Sequence, residues 1–228
     1  MRTKAIILKK QNTSEYDQLV TCYTEEFGKV IAVAKSVLKP NSIQAMHLDV
    51  FNLVDFELID GRAMPIITGA QAEETYPRLK NNLSRLAAAY FFAETADKLF
   101  FEYQKDDGLW NFFISLLVDL DQPQRLPLWN KGSLCGFLVE KQIEFLGILG
   151  YAPNLKECVF CLKTNDANLI AYNAQAKGAV CKNCFLNGRE GIVVKGGDWL
   201  SNPVLNGIFE SLAERKLYSL NLMNFVLE

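Results

Sequence analysis

The sequence predicts an α+β protein on three observations. Short strand-like runs with a period of two fill residues 1–70, long segments with apolar residues at helical spacing follow, and two cysteine pairs stand apart in a region short of apolar runs. AIILKK, residues 5–10, is a short isoleucine-rich strand. QLVTCYTEEFGKVIAVAK, residues 18–35, reads as two strands meeting at a turn, with Gly28 supplying the permissive backbone. From Met46 to Ile59 the pattern alternates: Met46, Leu48, Val50, Val54, Phe56 and Leu58 share one face, Asp49, Asp55 and Glu57 the other. Asp60-Gly61 is a hairpin signal, and AMPII, residues 63–67, is the fifth strand. Five short strands in this space suit a small barrel such as the OB-fold, assigned to residues 1–72.

The texture changes after Gly69. Residues 79–103 are alanine-rich and free of glycine and proline, and Leu79, Leu83, Leu86, Tyr90, Ala93 and Ala96 or Asp97 recur at helical spacing. Residues 109–121 and 132–150 are two further helices, the second stopped by Gly150. Their apolar faces are too wide for isolated surface helices, so residues 73–150 are expected to pack as a bundle, the boundary with the barrel falling near residues 70–77. Residues 151–190 form a cysteine-bearing module. Residues 191–228 return to helix around residues 201–217 and are expected to pack on the bundle; Ser201 or Asn202 is the N-cap and Pro203 lies in the first turn. The sequence shows no internal repeat and no low-complexity segment.

Composition narrows the class. Of 228 residues, 50% are apolar and 22% charged, which excludes a wholly disordered chain. No apolar run approaches the eighteen residues of a membrane span. The opening MRTKAIILKKQ has too short an apolar core for a signal peptide, so a cytoplasmic protein with reduced thiols is expected. Cys22 and Cys135 lie alone in apolar surroundings and read as buried packing residues.

The other four cysteines carry chemistry. Cys158-Val-Phe-Cys161 and Cys181-Lys-Asn-Cys184 are separated by nineteen residues, the spacing of a zinc ribbon. Each CxxC turn brings two thiolates to one ion, and a hairpin through NLIAYNA returns the second pair to the first. Four thiolates leave no open coordination position, so one structural zinc is expected at Cys158, Cys161, Cys181 and Cys184. The competing reading, a pair of redox CxxC motifs, has no use for a second copy at zinc spacing.

A catalytic search finds no candidate residue. His47, the single histidine, reads as a partly exposed strand residue, and phosphate-loop, dinucleotide and HExxH patterns are missing. The pairs Glu25-Glu26, Glu73-Glu74 and Asp106-Asp107 read as solvated or capping acids at turns and helix starts. Charge is nevertheless uneven beneath the formal net of −2. Residues 1–40 carry seven basic and four acidic side chains, residues 41–70 one basic and four acidic. AVAKSVLKPNS, residues 32–42, is a basic loop after a strand; in OB-folds such loops hold single-stranded nucleic acid, although a solvated turn has the same composition.

Taken together, KAIILKKQNTSEYDQLVTCYTEEFGKVIAVAKSVLKPNS, GYAPNLKECVFC, KGAVCKNC and ERKLYSLNLM resemble the bacterial recombination and DNA-repair mediator family RecO. GYAPNLKECVFC, with its glycine-tyrosine-x-proline lead-in to the first knuckle, is the most specific piece. The resemblance implies a non-catalytic protein that binds single- and double-stranded DNA, anneals complementary strands, and works with RecR and single-strand-binding protein to help load RecA. It also implies action in the bacterial cytoplasm, at the nucleoid during repair. The chain departs from the family at its basic loop, where Ser36 stands in place of a frequent glycine and Leu38 interrupts the basic residues. With the charge bias and the loop, the resemblance points to a DNA surface of Lys9, Lys10, Lys29, Lys35 and Lys39, joined by Arg2, Lys4 and Arg62. Whichever of Tyr16, Tyr23 and Phe27 faces outward would add stacking. The competing function is a zinc-stabilised protein-interaction scaffold that does not touch nucleic acid.

Overall fold

The computed structural model describes residues 1–122, 131–152, 154, 156–164, 169–173, 175–193, 202–214 and 216–227. The first strands are β1 (Arg2–Asn12), β2 (Gln18–Thr24), β3 (Gly28–Ala34), β4 (Leu53–Ile59) and β5 (Ile66–Glu74). They close a barrel in the order β1-β2-β3-β5-β4, with β4 returning to β1. All pairings are antiparallel except β3 with β5, which run parallel through Val33–Ile66 and Ala34–Ile67. Ala5, Ile7, Val20, Cys22, Val30, Ala32, Val54, Phe56 and Leu58 fill the barrel. Cys22 is a packing residue, as the sequence suggests, and burial pushes its thiol up to about 12. The side chain of Cys135 lies outside the described residues.

β1 is buried on both faces from Ala5 to Leu8, because one face lines the barrel and the other meets helices. This is why AIILKK reads as a continuous apolar run instead of an alternation.

The strand expected from Met46 begins only at Leu53. Residues Gln44–His47 form one helical turn, α1, and Phe51 takes a φ of 65°, so the chain bends ahead of β4. The buried Asn52 amide holds the bend by donating to the carbonyls of Met46 (3.1 Å) and His47 (2.9 Å). Leu48 then reaches the barrel core while Met46 stays 71% exposed, which breaks the face that alternation implied. His47 is therefore a helix residue, and its Nδ1 accepts the Ala72 N–H at 3.2 Å. The fifth strand starts beyond most of AMPII and continues to Glu74, so Glu73 and Glu74 belong to a strand and not to a turn or helix start. Asp106 does begin a helix.

The long alanine-rich segment divides into α2 (Pro77–Lys80) and α3 (Leu83–Leu99), because Asn82 caps α3 by accepting the Arg85 N–H at 3.1 Å. Its buried side centres on Ala87, Ala88, Phe91, Phe92, Thr95 and Ala96. Leu83 and Tyr90, expected on the apolar face, are exposed, since the alanines give neighbouring elements the closer approach. Asp106 caps α4 (Asp107–Asp121) by accepting the Leu109 N–H at 3.0 Å. Phe92 meets Phe112 edge-on at 5.3 Å, and Tyr23 of β2 meets Phe100 and Phe113, so aromatic contacts join barrel to helices.

The chain forms two compact units. One holds residues 1–125 and 217–228, the other residues 126–216. In the first, α8 (Tyr218–Leu227) lies against α3. The Glu94 carboxylate fixes its start, accepting the N–H groups of Tyr218 (3.0 Å) and Ser219 (2.8 Å) and the Ser219 hydroxyl (2.6 Å). These are donors that a helix start leaves without an intrahelical partner.

The second unit contains α5 (Lys131–Ile148), β6 (Leu169–Asn173), β7 (Gly178–Cys181), α6 (Lys182–Leu186), β8 (Ile192–Val193) and α7 (Asn202–Ala213). Gly150, at φ 73°, ends α5: the Gly150 N–H reaches the Gly147 carbonyl at 3.1 Å and the Tyr151 N–H reaches Leu146 at 2.8 Å. That paired closure is the expected glycine cap. Gln142 and Asn206 bond at 3.1 Å, and Phe145 stacks on Phe209, joining α5 to α7. Of the expected caps of α7, Ser201 lies outside the described residues, and Asn202 is the first helical residue.

Candidate metal centre and nucleic-acid interface

The four-cysteine cluster grows from a hairpin. β6 and β7 pair antiparallel from Asn173–Gly178 to Leu169–Cys181, so the second CxxC starts where β7 ends. Cys181 is also the N-cap of α6, its sulfur accepting the Cys184 N–H at 3.5 Å. The first CxxC is a tight turn beside this hairpin. The Leu162 N–H returns to the Cys158 carbonyl at 2.8 Å, and the Val159 N–H bonds to Ala179 of β7 at 2.9 Å. Gly178 is required for this approach: a Cβ there would stand 2.3 Å from the Val159 side chain and 2.7 Å from the Asn154 carbonyl.

The result is convergence. The sulfurs of Cys158, Cys161, Cys181 and Cys184 all lie within 4.8 Å of one another, and Cys161 and Cys181 approach to 3.6 Å. A tetrahedral zinc with Zn–S bonds of about 2.3 Å sets its sulfurs about 3.8 Å apart, so the cluster has the dimensions of such a site. The thiols are free, and a disulfide would need about 2.05 Å. Burial opposes ionisation of Cys158, but backbone hydrogen bonds at Cys181, Cys161 and Phe160 outweigh it and bring its thiol down to about 6. Burial and hydrogen bonds shared with Cys181, Cys161 and Cys158 push Cys184 up to about 12. Four sulfurs this close repel one another as thiolates, and a divalent cation among them removes that repulsion. The set can bind a metal ion and leaves no ligand position for water.

The basic residues named from the sequence have two different fates. Arg2 forks onto Asp55 (2.6 Å at its shortest), Lys4 reaches Glu73 (2.9 Å), Lys9 reaches Asp97 (2.9 Å) and Lys10 reaches Asp49 (3.1 Å). Lys29 is 6% exposed and points inward, onto the Asp97 carboxylate at 3.2 Å, the Asp97 carbonyl and the Phe100 carbonyl. With its ammonium spent on the end of α3 and the residue after it, it offers no charge to an outside phosphate. Lys35, Lys39 and Arg62 are exposed, and none forms an ion pair among the described residues.

Lys35 and Lys39 sit on the loop after β3 and line one hollow of about 460 Å³ with Asn41, Ile43, Gln44 and Thr68. A second loop, between β1 and β2, is tied to them. The Ser36 N–H donates to the Asp17 carboxylate at 2.7 Å, and the Leu38 N–H to the Tyr16 carbonyl at 3.0 Å. Ser36 takes a φ of 56°, a left-handed conformation that glycine adopts more easily, and the bond to Asp17 holds it there. Asp17, Asp49 and Asp97 escaped sequence reasoning, because their partners are far away in sequence; an unpaired run of lysines gave no hint of which would be neutralised.

The model described as Recombination protein O N terminal matches residues 1–76, and that described as Recombination protein O C terminal matches residues 80–198. A DNA repair protein RecO of Dehalococcoides mccartyi (strain ATCC BAA-2100 / JCM 16839 / KCTC 5957 / BAV1) is 31% identical over 183 residues, covering 80% of this chain and 69% of its own. A DNA repair protein RecO of Desulfitobacterium hafniense (strain DSM 10664 / DCB-2) is 27% identical over 223 residues, covering 97% of this chain and 76% of its own. Barrel, helices and cysteine module thus lie within a single line of relationship, and the chain belongs to the RecO family of DNA repair and recombination proteins.

Proposed function

We infer that this chain is a non-catalytic mediator of recombination repair that binds single- and double-stranded DNA through its barrel. In this reading it anneals complementary strands and, with RecR and single-strand-binding protein, helps to load RecA in the bacterial cytoplasm, at the nucleoid during repair. One structural zinc held by Cys158, Cys161, Cys181 and Cys184 maintains the second unit. The observation that carries the DNA reading is the loop after β3, where Lys35 and Lys39 face a shared hollow with no carboxylate partner among the described residues. Uncompensated lysines at a barrel mouth attract phosphate and release counterions on binding.

A second reading has its own support. Five of the eight proposed DNA-binding residues, Arg2, Lys4, Lys9, Lys10 and Lys29, already face carboxylates, as expected of a zinc-stabilised protein scaffold with no nucleic-acid role. Titration of fluorescent single-stranded and duplex DNA at two salt concentrations separates the readings. The mediator binds both and weakens as salt rises; the scaffold binds neither.

A further inference from the structure

We propose that Tyr16 is a base-stacking platform that gives the barrel loop its preference for unpaired DNA. The proposal rests on the DNA-binding reading above and adds to it the element that tells one strand from two.

Three aromatic residues between β1 and β3 could have served, and the structure separates them. Tyr23 is 1% exposed and wedged between Phe100 and Phe113. Phe27 is half-buried against the barrel core. Tyr16 is 41% exposed at the tip of the loop between β1 and β2. The Lys39 ammonium lies over its ring, 5.5 Å from the centroid, so a cation packs against a flat π-surface.

The backbone that carries the ring is held in place. The Tyr16 carbonyl accepts the Leu38 N–H, and the next residue, Asp17, accepts the Ser36 N–H, so the loop bearing the platform and the basic loop are joined at two points. The exposed aromatics Phe101 and Tyr103 belong to the other end of β3, where the Tyr103 N–H meets the Lys29 carbonyl. They are not neighbours of Lys35 and Lys39 along that strand.

The chemistry follows from these positions. Phosphate is drawn to Lys35 and Lys39, and a base from the same strand can lie on Tyr16. A base within a duplex is already stacked on both faces and cannot use the platform without being pulled out, at a cost of a few kcal/mol. Lysine contacts make no such distinction, since phosphates are present on both forms.

The test compares the wild-type chain, Tyr16→Ala and Tyr16→Phe by fluorescence anisotropy on an oligothymidylate and on a duplex of equal length, each at two salt concentrations. Tyr16→Ala is expected to weaken single-strand binding about 5- to 150-fold, the range of one lost stack. Duplex affinity should change less than about twofold, and the salt slope should stay that of the wild type because no phosphate contact is removed. Tyr16→Phe keeps the ring and should bind as wild type. Equal losses on both DNAs, or no loss on the single strand, would overturn the proposal while leaving the DNA reading intact. Failure of the wild type to bind either DNA would overturn both. Tyr16 is exposed, so the variants should fold, and unchanged thermal unfolding of each confirms that affinity alone is being read.

Discussion

The Lys29 ammonium, on a side chain 8% exposed, lies 3.2 Å from the Asp97 carboxylate, and this contact fastens the start of β3 to the last turn of α3. Two backbone carbonyls, those of Asp97 and Phe100, complete its surroundings. A buried cation of this kind is tolerated only while it is paired. Asp97→Ala should therefore destabilise the first unit by about 3 kcal/mol, as seen in a lower urea midpoint. Lys9, the other partner of Asp97, is 44% exposed. Lys9→Ala should cost less than about 1 kcal/mol, the range of surface pairs. Equal effects of the two substitutions would contradict the difference in burial.

The same carboxylates set an acid limit. Burial acts to raise Asp49, Glu94 and Asp97, but it is outweighed: by Lys10 and Lys80 at Asp49, by Lys98 and the Tyr218–Ser219 donors at Glu94, and by Lys9 and Lys29 at Asp97. All three lie below the ordinary carboxylate values of about 4. A group whose pKa is depressed by folding stabilises the fold fully above its unfolded value and loses that contribution as pH falls through its folded value. The urea midpoint should hold steady near neutral pH, then fall below about pH 5. Asp97→Asn should flatten part of that fall. Release of residues 217–227 is expected early, since protonated Glu94 no longer holds the start of α8, and amide exchange there measures it.

The sequence was legible where local rules decide. Both CxxC pairs, the Gly150 cap and the barrel's strand count are short-range features, and the structure has each of them. It misled where a distant partner decides. Met46 alternates correctly with Leu48 and Val50, yet Asn52 bends that stretch into α1 and a turn. Lys29 reads like Lys35 in a list of basic residues, but only the fold reveals Asp97 beside it. Tyr16 lies in a polar run and Tyr23 in a strand, but a strand residue can face either side; only the packing of Tyr23 against Phe100 and Phe113 takes it out of reach.

The cysteine cluster gives a metal prediction. The chain should purify with about one zinc, and a strong chelator or Cys158→Ser should remove it. Amide protection across β6 and β7 should then be lost, while the barrel keeps its own. Apparent zinc binding energies of about 10–16 kcal/mol in small zinc modules mean that the local structure should not survive the loss. Stoichiometric metal retained by the Cys158→Ser variant with native exchange rates would contradict a four-thiolate site.

If the loop after β3 touches DNA phosphate, the double substitution Lys35→Ala with Lys39→Ala removes the contact. Single-strand and duplex affinities of wild type and variant should be measured across a salt series. The variant should bind both DNAs more weakly, alike for every sequence, with a salt slope reduced by up to about two contacts' worth, roughly 0.7 for each contact on a single strand. Identical affinities and identical slopes for variant and wild type would contradict it.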